Sequence, residues 1–243
     1  MARHVLTEVD STNSEAARLA RAGLRQPTWI MARRQTAARG RRGRPWVSPE
    51  GNLAATLVFR PTGGPTAAAQ RSFVAALALA DALHAVCGPS VSLALKWPND
   101  VLLNGGKVAG ILLESLGSGA AIDHLAIGIG VNLAAAPPPE AVEPGAVHPV
   151  SVAGETGIAV SPDDFLTLLA ASFARREAQM ATYGFAPIRT AWLTGAARLG
   201  KPITARTGTE TITGTFDGLA EDGSLILTTP QGARIIPAAD IHF

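Results

Sequence analysis

Long apolar segments with helical character alternate along this chain with shorter apolar runs. Residues 66–87 are too many for a strand and are rich in good helix formers, which predicts a buried helix. A shorter helix is predicted after the sequence DSTN, because Thr12 and Glu15 have capping-box spacing and the pattern ends at Gly23. The sequence SPDD predicts the start of a third helix, again a long one, over residues 161–183.

Five apolar runs of strand length lie between these helices. They read PTWIMAR, NLAATLVFR, VSLALKW, KVAGILLESL and HLAIGIGVNL. Runs such as NLAATLVFR, with apolar residues throughout, are typical of a sheet covered on both faces. The Asn104-Gly105-Gly106 turn predicts that VSLALKW and KVAGILLESL form a β-hairpin.

The last fifty residues have a different character. From Gly200, short Thr-, Ile- and Leu-rich runs alternate with turn pairs such as Asp222-Gly223, which predicts a small all-β domain. Residues 134–149 are Pro-rich and without periodicity, so we expect an excursion over the surface. The whole pattern predicts an α+β fold, with one domain over residues 1–195 and a terminal β-barrel over residues 196–243.

Composition narrows the class of protein. Of 243 residues, 47% are hydrophobic and 16% are charged, enough for a substantial core. The apolar runs are broken before the roughly 18 residues that cross a bilayer, and no signal-peptide core is present, so we expect a cytoplasmic protein without membrane contact. The single cysteine, Cys87, lies in an apolar segment and is expected to be buried, and the histidines lack zinc-type spacing.

Arginines are concentrated in a glycine-rich polar segment, residues 35–46. No acidic residue occurs between Glu15 and Glu50. Glycines allow close backbone approach and guanidinium groups match phosphate or carboxylate oxygens, so the segment indicates an anion site. The dense positive charge predicts a loop that is mobile until an anion orders it. A solvated basic loop or a nucleic-acid patch is the alternative.

Two of the three lysines lie in the segment KWPNDVLLNGGK. Strand alternation predicts two faces for the returning strand, one with Lys107, Ala109 and Ile111, the other with Val108, Gly110 and Leu112. A lysine beside small residues suits a pocket, and glycine inside a strand often marks close approach by a ligand. The alternative is an ordinary exposed lysine, with Asn99 and Asp100 as turn formers.

The strand HLAIGIGVNL has one nearly bare face. Gly128, Gly130 and Asn132 share this face, so a planar group could lie on it. The segment is not a dinucleotide fingerprint, because the third glycine is missing and AAAPPP follows in place of a helix. A packed glycine-rich strand without a ligand is the alternative.

Together these segments resemble biotin–protein ligases. The family's motifs occur here in the family's order: DSTN at 10–13, GRGRxGRxW at 38–46, KWPND at 96–100, G/K-K-x-x-G-I-L-x-E at 106–114 and G-I-G-x-N at 128–132. The resemblance spans nearly the whole chain. It implies a catalytic domain like those of class II aminoacyl-tRNA synthetases and lipoate ligases, followed by an SH3-like β-barrel.

The resemblance also implies a reaction. ATP and biotin would form biotinyl-5'-AMP and pyrophosphate, with Mg²⁺ arriving on the nucleotide and no fixed protein site for metal. Biotin would then pass to a lysine of the biotin carboxyl carrier domain of a carboxylase. A lipoate ligase, a DNA-binding regulator and a non-catalytic nucleotide-binding module are the alternatives, and a homodimer stays open.

Site residues are carried over position by position. The implied catalytic residues are Lys107, Arg41 and Arg39. The implied biotin-binding residues are Ser11, Thr12, Asn13, Gln35, Arg39, Gly40, Arg41, Lys107 and Gly110. The implied ATP-binding residues are Arg41, Arg42, Trp46, Lys96, Asn99, Asp100, Lys107 and Asn132.

Two features depart from the family pattern. Ala38 replaces the first glycine of the arginine motif, which costs of order 1 kcal/mol if that position needs positive φ. Only nine residues precede Asp10, so we expect the chain to lack the winged helix-turn-helix of bifunctional members. Specific DNA binding is therefore not expected.

Overall fold

The computed structural model describes residues 1–117, 122–143 and 145–243. Its larger sheet contains β1 (Ala2–Val9), β2 (Thr28–Gln35), β3 (Leu53–Phe59), β4 (Leu93–Lys96), β5 (Asp100–Leu103), β6 (Gly106–Leu116) and β7 (His124–Val131). The spatial order is β1-β2-β3-β7-β6-β5-β4, with β1 parallel to β2 and the other neighbours antiparallel. The mixed sheet and its helices confirm the α+β class.

Helices cover both faces of this sheet. They are α1 (Thr12–Arg21), α2 (Pro65–Cys87), α3 (Val152–Thr156), α4 (Pro162–Tyr183) and α5 (Phe185–Thr194). On one face, Trp29 and Met31 of β2 join the core formed with α2 and α4. On the other face, Ile30 of the same strand packs with Ala16 of α1. Successive residues of β2 therefore enter different cores, as expected for a strand buried on both sides.

The three predicted helices are confirmed. α2 and α4 coincide with the predicted segments, and Ser161 Oγ accepts a hydrogen bond from Asp164 N at the start of α4.

Cys87 is buried and unpaired. In the parts of the chain that the structure describes, no helix is both long and apolar enough to cross a membrane. The prediction missed β1, because most of its side chains are exposed and show no apolar run.

The predicted capping box at α1 is wrong. The N-cap is Ser11, and its side chain makes no capping hydrogen bond. The Thr12 hydroxyl instead lies 3.1 Å from Gln35 Oε1, and Glu15 Oε2 accepts a hydrogen bond from Arg18. Thr12 is thus drawn into tertiary contacts, which compete with local capping.

The KWPND segment forms two successive hairpins where the sequence predicted one. β4 pairs with β5, and β5 turns into β6 at Asn104 and Gly105, whose φ values of 50° and 88° suit an Asn-Gly turn. The pairing of β5 with β6 skips Val108, which makes a β-bulge. Because of the bulge, Lys107 and Gly110 face the same cavity, so their predicted placement on opposite faces is wrong.

The C-terminal region is a second, antiparallel sheet. It contains β8 (Pro202–Arg206), β9 (Thr211–Leu219), β10 (Leu225–Thr229), β11 (Gly232–Ile236) and β12 (Asp240–His242) in the order β11-β10-β9-β8-β12. The strand pairings of the described residues leave the sheet open rather than closed into a barrel. Its Phe216 packs on Trp192 of α5, and Trp97 Nε1 donates to Gly223 O at 3.1 Å. One hydrophobic core thus spans both sheets. The domain boundary at residue 195 stays a prediction.

Candidate active site

A cavity of about 270 Å³ lies where the two sheets meet. It is close to the lower end of the range for small-molecule pockets, about 300 Å³. Among the described residues, every predicted site residue except Arg42 lines it: Ser11, Thr12, Asn13, Gln35, Arg39, Gly40, Arg41, Trp46, Lys96, Asn99, Asp100, Lys107, Gly110 and Asn132. Five segments distant in sequence therefore converge on one cavity.

The Pro-rich segment also contributes to this cavity. Pro137, Val142 and Pro149 line it, and the backbones of Lys107 and Pro149 form a β-bridge. The expectation of a purely surface excursion is therefore wrong for this part of the segment. The composition of the segment predicted an irregular structure. The segment has no periodic pattern from which its contact with the cavity could be predicted.

Neutral polar groups form one end of the cavity. The Thr12 backbone nitrogen and hydroxyl both donate to Gln35 Oε1, at 2.7 and 3.1 Å. Thr56 Oγ1, fully buried in β3, lies 2.8 Å from Thr12 Oγ1 and 2.6 Å from Asn13 Oδ1. Asn13 Nδ2 in turn donates to Glu114 Oε2 at 2.8 Å. The network fixes donors and acceptors in place and suits a neutral polar ligand group.

Arg39 is held at this same end. Its Nη2 lies 3.1 and 3.2 Å from the two carboxylate oxygens of Glu114, and Nη1 donates to Ser14 Oγ at 3.0 Å. These charge-assisted bonds connect β6, α1 and the start of the arginine segment. The charge of Arg39 is thus already matched by a protein carboxylate, which the sequence motifs did not indicate.

Residues 38–46, the arginine hairpin, form a compact β-turn structure. Gly40 N donates to Arg44 O at 2.7 Å, and Arg44 N donates to Arg41 O at 3.2 Å. Arg42 and Gly43 at the tip have φ values of 56° and 72°, which are typical of a type I′ turn. Gly43, at the third glycine position of the motif, therefore serves the turn geometry.

Carboxylates from elsewhere in the chain meet the arginines of this hairpin. Asp240 lies 2.9 Å from Arg44, 3.2 Å from Arg42 and 3.8 Å from Arg41, and Glu143 lies 2.7 Å from Arg44. Burial opposes ionisation of Asp240, but attraction by the arginines outweighs it and lowers the pKa of Asp240. The assumption that the arginines need a ligand to supply an anion is therefore wrong. Mobility of the empty loop stays a prediction.

Two lysines and a carboxylate form the charged end of the cavity. Lys107 Nζ lies 2.7 Å from Asp100 Oδ1, and Lys96 Nζ lies 3.8 Å from Asp100 Oδ2. Burial lowers the pKa of Lys96, and the charge of Asp100 opposes that shift. Asn99 lines this end, although its Nδ2 donates to Ile111 O at 2.7 Å. With Arg41 nearby, positive charge exceeds negative charge here, which favours an anionic ligand group.

The glycine face of β7 holds the Trp46 indole. A Cβ at Gly130 would lie 2.6 Å from Trp46 Nε1, and a Cβ at Gly110 would lie 3.1 Å from Trp46 Cζ3. The predicted floor for a planar group therefore exists, and a side chain of the chain itself lies on it. Trp46 Nε1 is buried and has no hydrogen-bond partner among the described residues. The Asn132 side chain donates to Val150 O at 3.0 Å at the edge of the floor.

The described residues contain no group of three or more His, Cys, Asp or Glu side chains placed to hold a metal ion. Asp100, Glu143 and Asp240 line the cavity, and each is paired with a lysine or arginine. Mg²⁺ commonly binds through one or two carboxylates together with substrate phosphates. Asp100 and Asp240 are the side chains of the cavity that would contact Mg²⁺ bound to the phosphates of a nucleotide.

Comparisons with known proteins match both parts of the chain. The family model "Biotin/lipoate A/B protein ligase family" matches residues 6–132, and "Biotin protein ligase C terminal domain" matches residues 199–243. The biotin–[acetyl-CoA-carboxylase] ligase of Paracoccus denitrificans is 64% identical over 239 residues, 98% of this chain and 99% of that protein. The bifunctional ligase/repressor BirA of Escherichia coli is 32% identical over 92% of this chain and 68% of that protein.

A solved structure shares the whole architecture. The biotin protein ligase from Aquifex aeolicus in complex with biotin and ATP superposes with a TM-score of 0.84 at 27% identity, over 99% of this chain and 97% of that one. The full-length similarity to the Paracoccus protein and the matches to both parts of the chain agree with the five motifs around the cavity. The chain therefore belongs to the biotin protein ligases of the biotin/lipoate A/B protein ligase family.

Proposed function

We propose that this chain is an ATP-dependent biotin–protein ligase that forms biotinyl-5'-AMP and transfers biotin to a lysine of an acceptor protein. One observation carries the assignment within the family. A single cavity joins an end with a network of hydroxyl and amide groups, where the charge of Arg39 is matched by Glu114, to a cluster of lysine and arginine side chains at the other end. Biotin has a neutral ureido ring and a carboxylate tail, so it fits this division of polar and charged groups.

In the first step, a biotin carboxylate oxygen attacks the α-phosphorus of ATP. The bond to the bridging oxygen of the β-phosphate breaks, and pyrophosphate leaves. Two anions must approach each other, and cations between them offset their repulsion. Lys107 and Arg41 are the side chains we assign to this task, with Lys107 held in place by Asp100 at 2.7 Å. Mg²⁺ on the triphosphate supplies further positive charge when it is bound.

In the second step, the neutral ε-amine of the acceptor lysine attacks the carbonyl carbon of the adenylate. AMP leaves with the bridging oxygen, and the proton of the amine passes to solvent. The enzyme supplies no covalent nucleophile, so its role is to retain and orient the intermediate while it excludes water. We assign retention to the arginine hairpin. Trp46, Lys96, Asn99 and Asn132 are proposed to surround the nucleotide.

We propose that Arg39 holds the hairpin against the end of the cavity where the ureido ring of biotin would bind. Its bonds to Glu114 and Ser14 leave the guanidinium paired before any ligand binds. Arg42 is proposed to act on the nucleotide only through the shape of the hairpin, because it is absent from the cavity lining. The proposed acceptor is the biotin carboxyl carrier domain of a carboxylase, and the proposed location is the cytoplasm.

One assay tests substrate and reaction together. The protein is mixed with ATP, Mg²⁺, biotin and a carrier domain from a biotin-dependent carboxylase, and the carrier is weighed by mass spectrometry. The expected result is a mass gain of one biotinyl group at one lysine, with pyrophosphate released. A parallel reaction with lipoate tests the lipoate ligase alternative, and labelling with lipoate alone would contradict the proposal.

A further inference from the structure

Asp240 lies outside every motif of the sequence, yet it pairs with more arginines of the hairpin than any other carboxylate among the described residues. Its distances to Arg44, Arg42 and Arg41 are 2.9, 3.2 and 3.8 Å. The side chain is 22% exposed, so these ion pairs are partly shielded from water. Partly buried ion pairs retain more of their attraction than those on an open surface.

The backbone that carries Asp240 is well anchored. β12 pairs with β8, where Asp240 lies opposite Arg206, and its neighbours Ala239 and Ile241 are 0% and 5% exposed. Arg41 Nη1 also donates to Ala239 O at 3.3 Å. The arginines, by contrast, lie on an exposed turn whose backbone is held mainly by its own hydrogen bonds. The carboxylate of Asp240 is therefore held in place by its sheet, and it can determine the position of the hairpin.

The three arginines differ in how they meet this carboxylate. Arg42 lies outside the cavity lining and pairs with Asp240 at 3.2 Å, whereas Arg41 lines the cavity and is 3.8 Å away. Asp240 and Glu143 place two carboxylates against the three guanidinium groups of Arg41, Arg42 and Arg44, which leaves net positive charge on the hairpin. Asp240 can thus order the hairpin without cancelling its attraction for a phosphate group.

We propose that Asp240 is a positioning residue, which holds the arginine hairpin over the cavity and so lets the C-terminal sheet control retention of the acyl-adenylate. The inference rests on the proposed function. Ordering the hairpin before ligand binding removes part of the entropic cost that binding would otherwise carry. Without this carboxylate, Arg41 and Arg42 would have no carboxylate partner among the described residues, and the adenylate itself would have to order them.

The first test needs no enzymatic activity. Trypsin cleaves after arginine, so cleavage after Arg41 and Arg42 in the ligand-free protein reports how often the hairpin opens. Asp240→Asn should raise the rate of these cleavages about tenfold, the effect expected for loss of charge-assisted bonds of about 1.4 kcal/mol. Asp240→Glu should restore most of the protection. The matched control is Glu210→Gln, which breaks an exposed pair with Arg234 in the same C-terminal region. An unchanged cleavage rate in Asp240→Asn would overturn the proposal.

The second test measures retention of the intermediate. Asp240→Asn should release biotinyl-5'-AMP about tenfold faster than the parent, while the KM for biotin changes little. Arg42→Gln changes an exposed turn residue outside the cavity lining and removes one of the three pairs of Asp240, so it should have a smaller effect in the same direction. The double variant should be no leakier than Asp240→Asn alone, because both changes remove the same ion pair. If Asp240→Asn does not fold, the rate of trypsin cleavage after Arg41 in Arg42→Gln shows whether the ion pair with Asp240 holds the hairpin.

The two proposals fail in different ways. A parent protein that releases no pyrophosphate with ATP and biotin would contradict the proposed function, and the trypsin experiment would still report whether Asp240 holds the arginine hairpin. A parent that forms the adenylate, with an Asp240→Asn variant that retains it as long as the parent does, would overturn the role of Asp240 alone.

Discussion

Lys107 lies between a carboxylate and an aromatic ring. Its Nζ is 2.7 Å from Asp100 Oδ1 and 5.4 Å from the centre of the Trp46 ring. These partners fix the ammonium group before a ligand arrives, so little reorganisation is needed when negative charge develops on the reacting groups. A longer guanidinium fork in its place would disturb this arrangement.

Lys107→Ala should nearly abolish adenylate formation and leave the fold intact. Loss of one transition-state cation costs about 3 kcal/mol, or roughly two orders of magnitude in rate. The side chain is 28% exposed, so its removal leaves no large buried cavity. Pyrophosphate release measures the effect, and a thermal melt checks the fold. Lys201→Ala, which removes an exposed lysine of the C-terminal region, is the control. A Lys107→Ala enzyme with near-parental pyrophosphate release would contradict the assignment.

Thr56→Val should weaken binding of biotin more than it slows the chemical step. Valine keeps the shape of the side chain but removes the hydroxyl that lies 2.8 Å from Thr12 Oγ1 and 2.6 Å from Asn13 Oδ1. A buried hydrogen bond contributes about 1 kcal/mol, so the KM for biotin should rise about fivefold to tenfold. Steady-state kinetics with biotin as the varied substrate measure it. Thr213→Val, on an exposed strand, should leave the KM unchanged. If Thr56→Val and Thr213→Val have the same KM for biotin, the Thr56 hydroxyl does not contribute to biotin binding.

Individual site residues were predictable where a motif carried them. Gln35 and Lys107 line the cavity as expected from the sequence. Thr56 and Asp240 were missed, because each is a single polar residue with no spacing pattern and acts only through distant partners. Thr56 did carry one weak signal, since it is a polar residue within an otherwise apolar strand.

At the scale of elements, the arginine hairpin combines a hydrogen-bonded turn with arginine side chains that pair with carboxylates elsewhere in the chain. Its tip has the backbone angles of a type I′ turn, and its arginines contact Asp240, Glu143 and Glu114. Charged loops with such partners can close without being locked, because partly exposed ion pairs are of modest strength. We therefore expect the hairpin to open and close repeatedly, and this mobility stays a prediction.

Arg41→Gly should release a reactive intermediate. Arg41 lines the cavity and has only a 3.8 Å contact with Asp240, so its charge remains available to a ligand phosphate. Its loss should weaken retention of biotinyl-5'-AMP more than it slows synthesis, because Lys107, held by Asp100, still supplies a cation to the reacting groups. A bystander protein without an acceptor site should then gain biotin on surface lysines, as measured by mass spectrometry. Equal bystander labelling by variant and parent, with the adenylate still tightly held, would show that Arg41 is not a latch.

Gly130→Ala should displace the Trp46 indole from the strand. A Cβ at this position would lie 2.6 Å from two atoms of that ring, closer than van der Waals contact allows. We expect the KM for ATP to rise about tenfold while the fold remains, because the indole can shift into the cavity. Gly218→Ala provides the control, since a Cβ there meets nothing within 4 Å. An unchanged KM for ATP would mean that the Trp46 position does not matter for the nucleotide.

Elements with strong periodicity were predictable, and local irregularities were not. α2 and α4 followed from apolar residues and a capping serine. The bulge at Val108 depends on how β5 and β6 pair, which no single-strand pattern encodes. For the same reason, residues 134–149 were expected only as surface, although part of this segment packs against β6 and lines the cavity.

At the scale of the whole molecule, the candidate active-site cavity depends on both sheets. The main sheet supplies the glycine floor, the lysines and the polar network, and the last strand closes one side with Asp240, Ile241 and His242. A continuous hydrophobic core, which includes Trp192 and Phe216, fixes the two sheets together. The two-part organisation was predictable from the change in strand spacing, but the shared cavity was not, because it depends on tertiary contact.

The charge distribution of the whole molecule predicts how strongly the chain binds DNA. The net charge is only +2, and the arginines of the hairpin are paired with carboxylates in the folded chain. A nucleic-acid patch would need these guanidinium groups free to contact phosphates, and it would need groups that read base edges to gain selectivity. We therefore expect weak binding of this chain to duplex DNA at low salt, without sequence preference, and its loss at physiological salt.

Fluorescence anisotropy with two duplexes of equal length and different sequence tests this expectation at both salt concentrations. The two duplexes should bind with the same affinity at low salt, since phosphate attraction does not distinguish them. Arg42→Gln should weaken this residual binding, because Arg42 is the most exposed of the three arginines that Asp240 contacts, at 47%. A preference of more than about tenfold for one sequence that persists at physiological salt would mean that the chain reads bases, since phosphate contacts alone are steeply salt-dependent. The arginine hairpin would then have a second ligand besides the nucleotide.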